Sequence, residues 1–175
     1  MTALEHQACL LLGSNIQPEK NLTSGLNLLR NMVTISRLSS VWETPSAGSS
    51  GPDFLNLAVL ITTPLNASEL KAQVLRPLEK QLGRVRRANK NAPRTFDADI
   101  ILFDDQLLDQ NLWSYAHRAV PVAEVLPDYP SSQGDTLKDV ASELAKTTLI
   151  HLRPDVLVDK NYEASPPQHN NTRSN

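Results

Sequence analysis

Arg94-Thr95-Phe96-Asp97-Ala98-Asp99-Ile100-Ile101-Leu102-Phe103 reads as a strand whose first residues are polar and whose last are apolar. A strand sends alternate side chains to one face, so Asp97 and Asp99 stand side by side while the residues after them enter a core. Two neighbouring carboxylates repel each other unless a cation sits between them. Hard oxygen donors of this kind suit Mg²⁺, which takes one or two protein carboxylates and completes its shell with substrate phosphates. Just upstream, Arg84, Arg86, Arg87, Lys90 and Arg94 fall within eleven residues. An Asp-x-Asp at a strand start is common on protein surfaces, and a basic run is most often a solvated loop or one side of plain ion pairs. Together, however, five cations against two anions leave positive charge over, and the surplus calls for a polyanion. Carboxylates for metal beside arginines for phosphate read as a phosphoryl-transfer site.

Working outward, Ala8-Cys9-Leu10-Leu11-Leu12 is uniformly apolar and ends at Gly13-Ser14-Asn15, as a buried central strand does. Pro18 opens a helix with Leu22, Leu26, Leu29 and Val33 on one face. Ile35 to Glu43 alternates weakly, Thr44 to Pro52 is a loop, and Phe54 to Thr63 is a strand interrupted by Asn56. That amide is either a core group satisfied by the backbone or a ligand-facing one. Asn66-Ala67-Ser68-Glu69 forms a capping box for a helix marked by Leu70, Val74, Leu78 and Leu82 and ended by Gly83, with a kink expected at Pro77. The strand from Asp97 completes the order β-α-β-β-α-β. This is the split arrangement of an α+β, ferredoxin-like sandwich with an antiparallel sheet. A C-terminal extension follows, with a helix expected over Thr136 to Lys146 and a strand or packed arm over Thr148 to Val158. The expected domain spans 1–158, and 159–175 is expected to be a disordered polar tail.

The 175 residues, 40% hydrophobic and 21% charged, fit one soluble globular domain. A net charge of −2 argues against general attraction to nucleic acid. Cys9 is the only cysteine, which excludes an intrachain disulfide and fits a reducing compartment. No apolar stretch approaches a membrane span, and Met1 to Gln7 carries Glu5 in place of a basic leader, so a cytoplasmic protein without membrane partners is expected.

Several pieces, in order, carry a resemblance. They are Leu12-Gly13-Ser14-Asn15, Ser39-Ser40-Val41-Trp42-Glu43-Thr44-Pro45, Pro52-Asp53-Phe54-Leu55-Asn56, Glu79, Gly83-Arg84-Val85-Arg86, Pro93 to Ile100, and Val122-Ala123-Glu124-Val125-Leu126-Pro127-Asp128. Over residues 8 to 130 the chain resembles the 6-hydroxymethyl-7,8-dihydropterin pyrophosphokinase family of folate biosynthesis. The resemblance implies transfer of pyrophosphate from MgATP to the hydroxymethyl group of a reduced pterin, with release of AMP. It implies two Mg²⁺ ions on Asp97 and Asp99, and Arg84 and Arg94 on the transferring group. Glu79, Arg86, Ser114 and His117 would bind ATP, and Thr44, Ala47, Phe54 and Asn56 the pterin. ATP and a reduced pterin are thus the implied partners, of a monomer or weak homo-oligomer.

The chain also departs from the family. Asn91-Ala92 stands where a tryptophan and glycine precede the proline, and Leu112 replaces a basic residue. His117-Arg118-Ala119 runs directly into Val120-Pro121, without the family's insertion that carries an arginine and a pterin-stacking phenylalanine. Arg118 is the nearest substitute for that arginine, and nothing replaces the phenylalanine. A divergent enzyme and a catalytically weak or inactive paralogue that binds nucleotide or pterin both fit this pattern.

Overall fold

The structure is a computed structural model and describes residues 4–46, 51–85 and 92–156. Ala47, Arg86, Asn91 and the tail beyond residue 156 lie outside the described residues.

At its centre β1 (His6–Ser14) pairs antiparallel with β4 (Phe54–Thr63) on one side and with β5 (Asp97–Phe103) on the other. The far edge of β4 is taken in succession by β2 (Thr34–Leu38) and β3 (Trp42–Thr44). Between them Ser39 keeps the pairing going: its N–H donates to Ala58 O, and its Oγ accepts from Ala58 N at 2.8 Å. The expected ferredoxin-like antiparallel sheet is therefore present. β7 (His151–Leu152), inside the segment expected to be a strand or packed arm over Thr148 to Val158, extends it beyond β3, and β6 (Gln106–Leu107), which was not expected, extends it beyond β5.

Helices cover both faces of the sheet, which explains why β1 is apolar at every position from Ala8 to Leu12 rather than at alternate ones. Leu10, Leu12, Leu57 and Val59 pack with Leu22, Leu26 and Leu29 of α1 (Pro18–Arg30) and with Leu70 and Leu78 of the helical run that holds α2 (Ala67–Leu70) and α3 (Arg76–Gln81). Cys9, Leu11, Ala58 and Leu60 face α4 (Ala116–Val125) and α5 (Leu137–Thr147). The kink expected at Pro77 takes the form of a π-helical turn, Lys71–Leu75, between α2 and α3. There the Arg76 N–H reaches back to Lys71 O, and Pro77 falls in the first turn of α3, where its missing donor costs little.

Helix α4 is absent from the sequence reading because Pro121 lies inside it, and an internal proline reads as a breaker. Burial overrides that local penalty: Ala119, Val120, Val122 and Val125 all sit in the core under this face. The helix expected over Thr136 to Lys146 is α5, begun by a capping box between Thr136 and Asp139.

Candidate active site

Strand register places the functional side chains. Asp97 lies opposite Gly13 across β1 and β5, and Gly13 lies opposite Asn56 across β1 and β4. Asp99 lies opposite Leu11 one row further on. Residues directly opposite in paired strands share a face, here the face that carries α4 and α5. Gly13 is needed at this point because a Cβ would come within 3.3 Å of Asn56 Oδ1, on the floor of the space between amide and carboxylate.

That space is a cavity of about 190 Å³. Thr44, Phe54 and Asn56 line one side of it, and Asp97, Asp99, His117 and Arg118 the other. Asn56 is 4% exposed, and its Nδ2 donates to Thr44 Oγ1 at 3.2 Å. The amide is thus held by a side chain and turned toward the cavity, rather than absorbed into the backbone. A smaller cavity of about 50 Å³ is lined by Lys71, Arg76, Glu79 and Arg84 together with Asp97 and Asp99. The carboxylate pair is the wall common to both cavities.

The basic side chains nearest this pair have specific partners. Arg84 donates to Asp97 Oδ1 and, at 2.7 Å, to Glu79 Oε1; Arg94 donates to Asp97 Oδ2. Glu79 is 4% exposed and also accepts from Ala98 N at 3.2 Å, so it fixes both Arg84 and the start of β5. Asp97 is thus neutralised by two guanidinium groups. The unrelieved repulsion expected between the two aspartates does not arise, because arginine is the cation beside them. Asp99 is half-exposed, and Arg118 is 3.8 Å from it while lying 2.6 Å from Asp109 Oδ2.

His117 shares the larger cavity with Thr44, Phe54 and Asn56. Burial pushes its pKa down to about 4, and the neighbouring Arg118 charge acts in the same direction, so the imidazole is neutral at pH 7. Ser114 follows a 3₁₀ turn (Gln110–Trp113), is exposed and lines neither cavity. Leu112 is wholly buried beneath α4 and α5.

Four contributors carry no role in the sequence reading. Asn15, 3% exposed, accepts the Arg94 N–H on Oδ1 at 2.6 Å and donates from Nδ2 to Pro52 O at 3.2 Å. It therefore ties the end of β1 both to the arginine segment and to the loop before Phe54. Ser14 Oγ donates to Thr95 O at 2.6 Å beside it. A polar Ser-Asn pair directly after a buried strand was the available signal. Lys71 and Arg76, at the two ends of the π turn, line the smaller cavity, and no local pattern announces that.

As a donor set, Asp97 and Asp99 fit a hard divalent cation. Among the described residues no group of three or more His, Cys, Asp or Glu side chains forms a full protein cage. Two carboxylates beside cationic walls suit Mg²⁺ bound jointly with phosphate.

Comparison with known proteins gives one consistent family. The family model for 7,8-dihydro-6-hydroxymethylpterin-pyrophosphokinase (HPPK) matches residues 9–127. A Synechocystis 2-amino-4-hydroxy-6-hydroxymethyldihydropteridine pyrophosphokinase is 30% identical over 161 residues, covering 85% of this chain and 82% of the relative. The Bacillus subtilis protein of the same name is 39% identical over 106 residues, 58% of this chain and 62% of its own length. Among solved structures, Plasmodium falciparum HPPK-DHPS with pteroate superposes with a TM-score of 0.66 at 11% identity, a likeness of fold. The match covers 82% of this chain and 43% of that one.

Proposed function

Because the chain belongs to the 7,8-dihydro-6-hydroxymethylpterin-pyrophosphokinase family, we propose that it transfers pyrophosphate from ATP to the hydroxymethyl group of 6-hydroxymethyl-7,8-dihydropterin. The pterin hydroxyl oxygen attacks the β-phosphorus of ATP, the bond from that phosphorus to the α–β bridging oxygen breaks, AMP leaves, and the hydroxyl proton passes to solvent. The observation that carries this reading is the position of Asp97 and Asp99 in the wall shared by a cation-lined cavity and one lined by Phe54, Asn56 and Thr44. A phosphate chain in the first and a heterocycle in the second meet at the carboxylates.

In this reading Asp97 and Asp99 would hold two Mg²⁺ ions, which would supply charge neutralisation to the phosphates. Arg84 and Arg94 exchange their carboxylate partner for oxygens of the transferring group, where planar guanidinium forks donate paired bonds. Glu79 keeps Arg84 aimed during that exchange. The family resemblance adds Arg86 to the ATP side and Ala47 to the pterin side; His117 lines the larger cavity beside Thr44, Phe54 and Asn56, and Ser114 lines neither cavity, so the ATP role that the resemblance implies for these two has no support from the cavities. The Asn56 amide and the Thr44 hydroxyl offer donors and acceptors to the pterin edge, and Phe54 offers a ring face. Residues 1–158 act as one catalytic domain in the cytoplasm, as a monomer or weak homo-oligomer, with no nucleic-acid or membrane partner. Among the described residues, no helix is long and apolar enough to cross a membrane.

The test is incubation with MgATP, with and without the reduced pterin, followed by chromatography. AMP formed only when pterin is present is the expected result. Binding of ATP or pterin without AMP overturns the catalytic reading in favour of a binding module.

A further inference from the structure

Past the residues that match the family model, the chain returns to the sheet as β7 and brings Arg153 with it. β7 pairs with β3, Trp42 opposite Leu152 and Glu43 opposite His151, and Arg153 N donates to Val41 O at 2.9 Å. The guanidinium then reaches three carboxylates: Glu43 on β3, Glu19 in the first turn of α1 at 3.2 Å, and Asp155 at 2.7 and 2.8 Å. β3 is only three residues long and leads straight into the loop that carries Pro45 and Ser46 at the larger cavity. A strand this short makes too few ladder bonds to fix its own register firmly.

Alternation gives the contact its consequence. Glu43 lies opposite Leu55, whose side chain packs with the α1 face, whereas Thr44 bonds Asn56 on the cavity face. On that second face the Trp42 indole donates to Glu124 Oε1 at 2.6 Å, and Ser40 N donates to Glu124 Oε2 at 2.7 Å. β3 is therefore gripped from both sides, by Glu124 of α4 on one and by Arg153 on the other.

We propose that Arg153, acting through Glu43, is a positioning residue for the pterin half of the site: the β7 strap holds β3 in register so that Thr44 and Asn56 meet at the cavity. This inference rests on the pyrophosphokinase reading for the identity of the ligand. It assigns a task to a segment outside the matched region, and it separates acceptor binding from nucleotide binding, since Glu79, Lys71 and Arg76 lie on the other side of the carboxylate pair.

The experiment compares full-length wild type with Arg153→Ala, Arg153→Lys, Glu43→Gln, the Arg153→Ala/Glu43→Gln double variant, and Lys146→Ala as a control. Among the described residues Lys146 pairs with Glu143 on the exposed surface of α5. Calorimetry gives Kd for the reduced pterin and for MgATP, and amide NMR follows Thr44 without ligand. Arg153→Ala and Glu43→Gln are each expected to weaken pterin binding roughly ten-fold, and the double variant no more than Arg153→Ala alone, because the contact to Glu43 is already lost there and the Glu19 and Asp155 contacts do not reach β3. Arg153→Lys recovers part of the loss, MgATP binding stays within about two-fold, and Thr44 shifts in Arg153→Ala but not in Lys146→Ala. Unchanged pterin affinity and an unmoved Thr44 signal in Arg153→Ala overturn the proposal, as does equal weakening of both ligands. If wild type binds no pterin at all, the pyrophosphokinase reading fails instead, and the ligand-free Thr44 signal still decides whether the strap positions β3.

Discussion

Arg84 and Asp97 form a partly buried ion pair, their side chains 12% and 13% exposed, at the point where the carboxylate pair meets the basic loop. Asp97 also accepts from Arg94, and Arg84 is anchored from behind by Glu79. The arginines of the site thus neutralise its carboxylate.

One consequence separates the two aspartates. Asp97→Asn is expected to destabilise the fold by about 1–3 kcal/mol, because it leaves the partly buried Arg84 with less compensating charge. Asp99→Ala, at a half-exposed carboxylate, is expected to leave the melting temperature nearly unchanged. Both variants are expected to lose Mg²⁺-dependent AMP formation. Thermal denaturation beside the AMP assay checks this, and equal melting temperatures would refute the ion-pair account.

The arginines divide by role. Arg84→Ala and Arg94→Ala are expected to lower kcat by about a hundred-fold or more while changing ATP affinity only slightly, as removal of contacts made mainly in the transition state does. Arg86→Ala is expected to weaken ATP binding instead. Titration calorimetry with single-turnover kinetics distinguishes the two, and a uniform loss of ATP affinity across all three would dissolve the division.

A packing contact behind the site controls where β5 begins. Phe96, fully buried, lies against Gly25 of α1 so closely that a Cβ at Gly25 would overlap its ring. Gly25→Ala is expected to cost about 1–3 kcal/mol by overpacking and to lower activity by displacing Asp97, the next residue. Adding Phe96→Leu is expected to restore part of both. A denaturant midpoint for Gly25→Ala equal to wild type would contradict the contact.

His117 gives the acid side of the stability profile its slope. Its folded-state pKa of about 4 lies below the ordinary 6.5, so between these values the unfolded chain binds the proton and the folded chain does not. Stability is therefore full above pH 6.5 and falls as pH drops toward 4, with no further loss from this group below that. His117→Gln is expected to flatten that part of the curve. Urea denaturation at pH 4, 5, 6 and 7 measures it, and an unchanged slope in His117→Gln would show that other groups produce it.

The long strands β1, β4 and β5 and their faces were legible in the chain itself. The continuous apolar run of β1, the Asn66 and Thr136 capping boxes and the two-residue period through Asp97 and Asp99 are local patterns, and local backbone geometry converts them directly into elements and faces. The split β-α-β-β-α-β order followed from their sequence, and the motifs around Asp97 pointed to the family. Tertiary packing decided what those patterns leave open. It kept α4 helical through Pro121 because the helix buries a valine-rich face. It set Gly13 between Asn56 and Asp97, turned Arg84 and Arg94 onto Asp97, and joined Arg153 to Glu43 across 110 residues of sequence. Such partnerships depend on strand register and on which surfaces meet, and a periodicity of two or of 3.6 residues specifies a face without specifying what will lie against it.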